Sequence, residues 1–151
     1  MFIKSVLIVI LSILSVEEKP KSKLQKLCEH PSIISMWKQN SALRNSIRLS
    51  VQKLNPSLVC AAQDHANYMA RTGQFGHFIN GGPNGRARKY GYRGTVAENI
   101  ARGQRSIPEV FQDWRKSRGH FRNMCSNAAR VGFGCQLNKN GQWYWVTLYG
   151  Y

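Results

Sequence analysis

Residues 58–70 (LVCAAQDHANYMA) carry the strongest local structural signal in this sequence, because their apolar positions repeat at helical spacing. One face of the predicted helix is formed by Leu58, Ala62, His65 and Met69. Asn55 is placed to cap the N-terminus of this helix, with Pro56 in its first turn. The helix is expected to end near Gly73.

Two further helices are predicted, one before this stretch and one after it. From Leu43 onward, the apolar positions 43, 47, 51 and 54 keep helical spacing. Ser106 and Glu109 have the spacing of a capping box, which opens a helix expected to end near Gly119. Between the second and third helices, residues 73–105 are rich in Gly, Arg and Asn, which predicts a loop long enough to suggest function.

The C-terminal part of the chain has the patterns of two β-strands. Apolar residues alternate with smaller or polar ones over residues 131–137, and residues 143–149 (WYWVTLY) form a β-rich run. Asn140 and Gly141 lie between them and are typical of a tight turn. Helices followed by a terminal hairpin predict an α+β fold, or an α-β-α layering.

Length and charge limit the classes of function that are open to this protein. The chain has 151 residues, which is about one domain. Lys and Arg number 22 against seven Asp and Glu, for a formal net charge of +15. So few carboxylates make multi-carboxylate calcium loops hard to build.

The N-terminal region has the pattern of a secreted protein. Residues 1–15 combine Lys4 with an apolar run that is shorter than the ~20 residues of a membrane span, which predicts a signal peptide. An uncleaved anchor and a buried strand are the alternatives. Residues 16–40 are expected to be a basic N-terminal arm or linker, and residues 41–151 the folded domain.

The four cysteines predict two disulfides, because an even count in a secreted chain is typical of a disulfide framework. Three pairings exist. Cys125–Cys135 is favoured because it closes a short loop, which leaves Cys28–Cys60. A zinc site is the alternative, although no C-x-x-C pair is present.

His77, Glu98 and His120 are the candidate functional residues. Two imidazoles and a carboxylate could ligate a divalent metal such as zinc, or could form a hydrogen-bonded cluster without a metal, which is the simpler interpretation of the spacing. His65 lies on the apolar helix face and is expected to be a core or boundary histidine. A Ser117, His120 and Glu98 hydrolase triad can also be drawn, but the sequence lacks a G-x-S-x-G elbow.

Two groups of basic residues suggest a negatively charged partner. The first contains Arg86, Arg88, Lys89 and Arg93 with Tyr90 and Tyr92 between them, and the second contains Arg115, Lys116, Arg118 and Arg122. Such groups bind nucleic acid or anionic lipid headgroups, or form only a solvated face. For a secreted chain, an anionic membrane or cell wall is the expected partner and nucleic acid is not.

The order of motifs from about residue 43 to residue 149 resembles the CAP superfamily, which comprises the cysteine-rich secretory, antigen 5 and pathogenesis-related group one proteins and is also called the SCP domain. The resemblance is closest to the compact form common in bacteria. The matching motifs are residues 58–70, His77, Arg86, Gly91 with Tyr92, residues 98–101 (ENIA), residues 114–123 (WRKSRGHFRN), residues 131–134 (VGFG) and residues 143–150.

This resemblance implies an α-β-α sandwich with a central antiparallel sheet. It also implies a cleft with two histidines and one or two acids, in which some members hold zinc. His77, Glu98 and His120 match three of those positions, and Ser117 stands where larger members have a second glutamate. Arg86 is expected to bridge the cleft loop to a carboxylate, and Asn99 to order a backbone turn.

The expected function is that of a secreted, monomeric binding or effector module for lipids, sterols or anionic cell surfaces. Zinc or another divalent cation at His77 and His120 is the expected cofactor, with Glu98 as a third ligand or as an acid that orients a ligand. A metal-dependent hydrolase that uses the same three residues is the alternative. Fold resemblance alone does not decide between them.

Overall fold

A computed structural model describes residues 22–151, so the expected signal peptide at 1–15 and the first part of the expected arm lie outside the described residues. The described chain alternates helices with the strands of one sheet. Its elements are α1 (Lys23–Cys28), α2 (Pro31–Ser46), β1 (Lys53–Leu54), α3 (Pro56–Thr72), α4 (Gly82–Lys89), β2 (Val96–Arg102), α5 (Ile107–Lys116), α6 (Arg118–Met124), β3 (Arg130–Leu137) and β4 (Trp143–Gly150).

The strands form a single sheet in the order β1-β3-β4-β2. β4 pairs antiparallel with both β3 and β2, whereas the short β1 pairs parallel with β3. Tyr144, Val146 and Leu148 of β4 pack with α3 and α4. Trp145 and Tyr149, which point to the other face, pack with α2, α5 and α6. The structure therefore confirms the α+β class and the α-β-α sandwich.

Helix α3 forms where the sequence predicts it. The Asn55 side chain accepts a hydrogen bond from the Leu58 amide at 3.1 Å, and Gly73 ends the helix with a φ of +74°. The predicted apolar face is fully buried. Both ends and the inward face were therefore correctly predicted from local sequence.

The cap at Asn55 gives the first testable prediction. Asn55→Ala removes the acceptor for an otherwise unpaired amide, and we expect it to lower the free energy of unfolding by about 1 kcal/mol. Urea denaturation measures this loss. Ser57→Ala, two residues further on, is the control and should change stability by less than about half as much. Equal effects of the two substitutions would contradict the capping role.

The prediction of a helix from Leu43 onward is wrong. Helix α2 begins earlier, at Pro31, where His30 Nδ1 accepts a hydrogen bond from the Ser32 amide, and it ends at Ser46. Arg48 then adopts a φ of +61°, which breaks the helix before β1. Within the expected arm, residues 22–40 form α1 and most of α2, and Ile33 and Met36 are buried in the core. The domain boundary at residue 41 stays a prediction.

The prediction of a loop over residues 73–105 is also wrong in part, because this region contains α4 and β2. Gly119 does not end a helix but lies inside α6. The capping box is confirmed in one half: Ser106 Oγ accepts from the Glu109 amide at 3.3 Å. The Glu109 carboxylate accepts instead from the Arg105 amide at 2.7 Å, one residue before the cap.

Neither predicted disulfide is confirmed, since all four cysteines are free in this structure. Cys125 lies close to Arg44 and Tyr149, whereas Cys135 pairs with Trp145 across the sheet. Tyr149 and Trp145 are four positions apart on β4, which is about 13 Å along a strand. A disulfide needs Cα atoms within about 7 Å, and these neighbours place Cys125 and Cys135 near different positions along β4. Cys28 and Cys60, the other predicted pair, are close enough that Cys60 adds to burial in raising the pKa of the Cys28 thiol.

Candidate functional site

A buried carboxylate joins the loop before α4 to strand β2. The Glu98 side chain is 1% exposed. Its Oε1 accepts from His77 Nδ1 at 2.9 Å, and its Oε2 accepts from Arg86 Nη2. Both oxygens are therefore engaged within the protein, and the expected bridge from Arg86 to a carboxylate is confirmed.

Arg86 also fixes the backbone of the loop that carries His77. Its Nη1 donates to the carbonyl oxygens of His77 and Ile79, at 3.2 and 2.8 Å. Asn80 and Gly81 adopt positive φ angles of +54° and +83°, which turn the chain around the guanidinium. Because Arg86 is 1% exposed, its charge is balanced inside the protein by Glu98.

His65 holds the same loop from the side of α3. Its ring is completely buried, and Nε2 donates to the Gly76 carbonyl oxygen at 3.1 Å. Burial lowers the pKa of His65 to about 4, so the ring is neutral near pH 7. The expectation of a core histidine is confirmed, and its contact explains why the loop is ordered next to His77.

This buried histidine predicts a specific acid sensitivity. An unfolded histidine has a pKa near 6.5, so between about pH 6.5 and pH 4 the unfolded chain binds a proton that native His65 does not. The free energy of unfolding should therefore fall as the pH is lowered through this window, by about 3 kcal/mol from this residue. Urea denaturation of the wild type and of His65→Gln at several pH values measures the difference. Parallel curves for the two proteins would contradict it.

His120 lies in the first part of α6, close to His77. Asn99 Nδ2 donates to the His120 carbonyl oxygen at 3.1 Å, and Asn99 Oδ1 accepts from Asn123 Nδ2 at 2.9 Å. The His120 ring lies against Trp114, with 6.4 Å between ring centroids. Burial, and then the nearby charge of His77, lower the pKa of His120. Asn99 thus orders the backbone turn that brings His120 close to His77.

The arrangement favours the two histidines, His77 and His120, over Glu98 as residues that could hold a metal ion. Among residues 22–151, no three His, Cys, Asp or Glu side chains are grouped so as to hold a metal ion. The oxygens of Glu98 are occupied, but its bond to Nδ1 of His77 leaves Nε2 without a hydrogen-bond partner among residues 22–151, as in histidine ligands oriented by a carboxylate. The His77 side chain is 42% exposed. His77 and His120 are therefore the two residues whose ring nitrogens could hold a metal ion.

The serine hydrolase triad is not assembled in this arrangement. A triad needs an acid that orients the base, but Glu98 contacts His77 and not His120. Ser117 lies at the junction of α5 and α6, where its amide donates to the Asp113 carbonyl and its own carbonyl accepts from the Phe121 amide. Its role there is to turn the backbone between two helices.

The sequence indicates the candidate residues but not the contacts of three residues that position them. The contact of His65 with Gly76, the bond from Asn123 Nδ2 to the Glu98 carbonyl at 3.3 Å and the packing of Trp114 on His120 all depend on the fold. The motif at residues 114–123 contains two of these residues and was the one available signal.

In the part of the chain from residue 22 onward, no helix is both long and apolar enough to cross a membrane.

Comparison with solved structures finds the same fold in bacterial surface and extracellular proteins. An outer surface protein from Borrelia burgdorferi matches with a TM-score of 0.72 and 19% identity, over 78% of this chain and 90% of that one. An extracellular protein containing an SCP domain from Bacillus anthracis matches with a TM-score of 0.68 and 18% identity. That match covers 87% of this chain but only 45% of the other.

A cysteine-rich secretory protein from Staphylococcus aureus matches with a TM-score of 0.62 and 19% identity. This match covers 78% of this chain but only 38% of the other. No curated protein sequence matches the chain. The model of the Cysteine-rich secretory protein family, CAP, matches residues 41–149. The ordered motifs, the α-β-α sandwich and this match together show that the chain belongs to the CAP family.

Proposed function

We propose that this protein is a secreted CAP-domain binding module that attaches to anionic lipid surfaces. The observation that carries the proposal is a large basic excess that the protein does not neutralise internally. Lys and Arg outnumber Asp and Glu by 22 to seven. Several of the carboxylates are already engaged: Glu98 by Arg86, Asp64 by Lys89 and Glu109 by the Arg105 amide.

The exposed basic residues of α5 and α6 are the best candidate contact surface. Arg115, Lys116, Arg118 and Arg122 are all exposed, and we call these four residues the α5–α6 basic patch. The other basic group of the sequence is weaker, because Arg86 is buried against Glu98 and Lys89 pairs with Asp64. Each basic side chain near an anionic membrane contributes about 1 kcal/mol of attraction.

Vesicle co-sedimentation tests this function. Wild-type protein should bind phosphatidylcholine vesicles that contain phosphatidylglycerol and should not bind pure phosphatidylcholine. Changing all four residues of the α5–α6 basic patch to Gln should weaken binding by at least about a hundredfold. The charge-matched control changes Lys38, Arg48, Lys53 and Lys139 to Gln, and it should retain most of the affinity. Equal binding to neutral vesicles, or binding that requires a sterol, would overturn the proposal.

The proposal includes a divalent cation, such as zinc, at His77 and His120. The support is the free Nε2 of His77, whose ring is oriented by Glu98, and the proximity of His120. The cation would supply a positive centre in the cleft for a phosphate or carboxylate group. Zinc calorimetry should give saturable one-site binding that is lost in the His77→Ala, His120→Ala double variant. Absence of heat with the wild type would make the histidines a structural pair.

The metal-dependent hydrolase remains the alternative, and the state of Glu98 is what weighs against it. A general base must reach the proton that it abstracts. Glu98 is buried, and each of its oxygens already accepts from a cationic or imidazole donor. This arrangement favours holding a ligand in the cleft over turning it over. The extracellular and outer-surface relatives support the secreted location that both alternatives require.

A further inference from the structure

One aromatic side chain near the cleft is almost fully exposed. Phe78, directly after His77, is 86% exposed, and the neighbouring Phe75 is 40% exposed. The ring of Phe78 lies over the start of α4, where a Cβ on Gly82 would be 3.7 Å away. The loop beneath it is held by the bonds from Arg86 to Ile79 and from His65 to Gly76. An ordered loop therefore presents a large apolar group to solvent.

The charge distribution around Phe78 is favourable for contact with a lipid surface. Residues 72–85 contain no Asp, Glu, Lys or Arg, so moving the tip of this loop out of water desolvates no charged carboxylate, ammonium or guanidinium group. Two exposed arginines border it. Arg71 lies over the Tyr68 ring at 5.6 Å, and Arg102 lies over the Phe75 ring at 4.9 Å.

We propose that Phe78 inserts into the interfacial region of an anionic bilayer while Arg71 and Arg102 contact the lipid phosphates. This inference rests on the proposed function and orients the protein with the loop of His77 and Phe78 towards the lipid. His120 lies close to His77, and its helix α6 carries part of the α5–α6 basic patch. Apolar burial and attraction to anionic headgroups act together in such interfacial contacts. A ring that is exposed in solution and buried in the bilayer adds affinity that does not depend on salt.

Binding of Phe78 variants to vesicles of phosphatidylcholine with phosphatidylglycerol tests the inference. Phe78→Ser should weaken binding by about tenfold, whereas Phe78→Trp should retain it. On binding, Phe78→Trp should also show a blue shift of tryptophan emission that the wild type, with its four native tryptophans, does not show. Val51→Ser is the matched control: Val51 is 40% exposed but lies beside β1, at the edge of the sheet opposite β2, and its loss should have no effect.

A soluble polyanion, dextran sulfate, separates insertion from charge attraction. Phe78→Ser should bind it as well as the wild type does, because no apolar phase is present. An equal loss on dextran sulfate, or equal vesicle binding by wild type and Phe78→Ser, would overturn the insertion of Phe78 and leave the proposed function intact. If the wild type fails to bind anionic vesicles at all, the proposed function and this inference both fail.

Discussion

Replacing Glu98 by Gln is expected to lower the free energy of unfolding by about 3–5 kcal/mol, because it leaves the buried Arg86 guanidinium without a counter-charge. The shape of the side chain is nearly unchanged, so packing is not the cause. The same substitution removes the carboxylate that orients His77. Urea denaturation of the purified variant measures the loss.

Asp64→Asn is the matched control, because it removes a carboxylate from an ion pair with the exposed Lys89. Pairs at the surface contribute about 0–1 kcal/mol, so this variant should remain close to the wild type in stability. Similar small losses in both variants would contradict the role of Glu98 as the buried partner of Arg86. A loss of activity in Glu98→Gln would therefore not by itself identify a catalytic acid, since the cleft would be disturbed as well.

Replacing Gly132 by Ala is expected to cost about 3 kcal/mol or more, at the upper end of overpacking effects. A Cβ at Gly132 would overlap the backbone of α3 at Leu58 and Val59. Backbone atoms cannot turn away as a flexible side chain does, so α3 would have to move off the sheet. Thermal or urea unfolding measures the effect.

Gly85→Ala is the control for this glycine. Gly85 lies in α4, where an added Cβ would meet no atom within 4 Å. Alanine is also the better helix former, so stability should be unchanged or should rise by up to about 1 kcal/mol. If Gly132→Ala were as well tolerated as Gly85→Ala, the close packing of α3 on β3 would be wrong.

Local sequence was sufficient for elements whose ends and faces are defined by nearby residues. The cap at Asn55, the left-handed Gly73 and the apolar face between them define α3 without reference to the rest of the chain. The hairpin of β3 and β4 is similarly marked by alternation around Asn140 and Gly141. The order of motifs then identified the family and its sandwich.

The bounds of helix α2 and the existence of helix α4 were not predicted, because the burial of their side chains depends on residues that are distant in the sequence. Helix α2 buries the polar residues Asn40 and Arg44, which lie among its apolar contacts and weaken the hydrophobic pattern. Arg44 donates to the carbonyl oxygens of Met124 and Ser126, and Asn40 donates to Gln52. No spacing rule within α2 indicates these bonds. Helix α4 was missed for the same reason, since it buries a charged arginine.

In the candidate site, too, the sequence indicated which residues lie together but not what each of them contacts. The sequence indicated His77, Glu98 and His120 as a group, and the structure places His77 in contact with Glu98 and close to His120. The resemblance implied that Arg86 reaches a carboxylate, and the structure shows that this carboxylate is Glu98. Because its two oxygens accept from Arg86 and His77, Glu98 suits the second of its two expected roles, that of an acid that orients His77. The disulfides are a different case, because an even number of cysteines does not indicate which thiols meet, and Cys28 and Cys60 lie near each other without a bond.

The salt dependence of vesicle binding tests the central claim most directly. Wild-type protein is titrated with vesicles of phosphatidylcholine and phosphatidylglycerol at low ionic strength and again near 1 M, where the Debye length falls to about 3 Å. If uncompensated basic charge drives attachment, affinity should fall by at least about a hundredfold between the two conditions, with a weak residual affinity from apolar contact. Affinity that is unchanged by salt, or equal on neutral vesicles, would contradict the claim that this CAP protein binds anionic lipid surfaces through its charge.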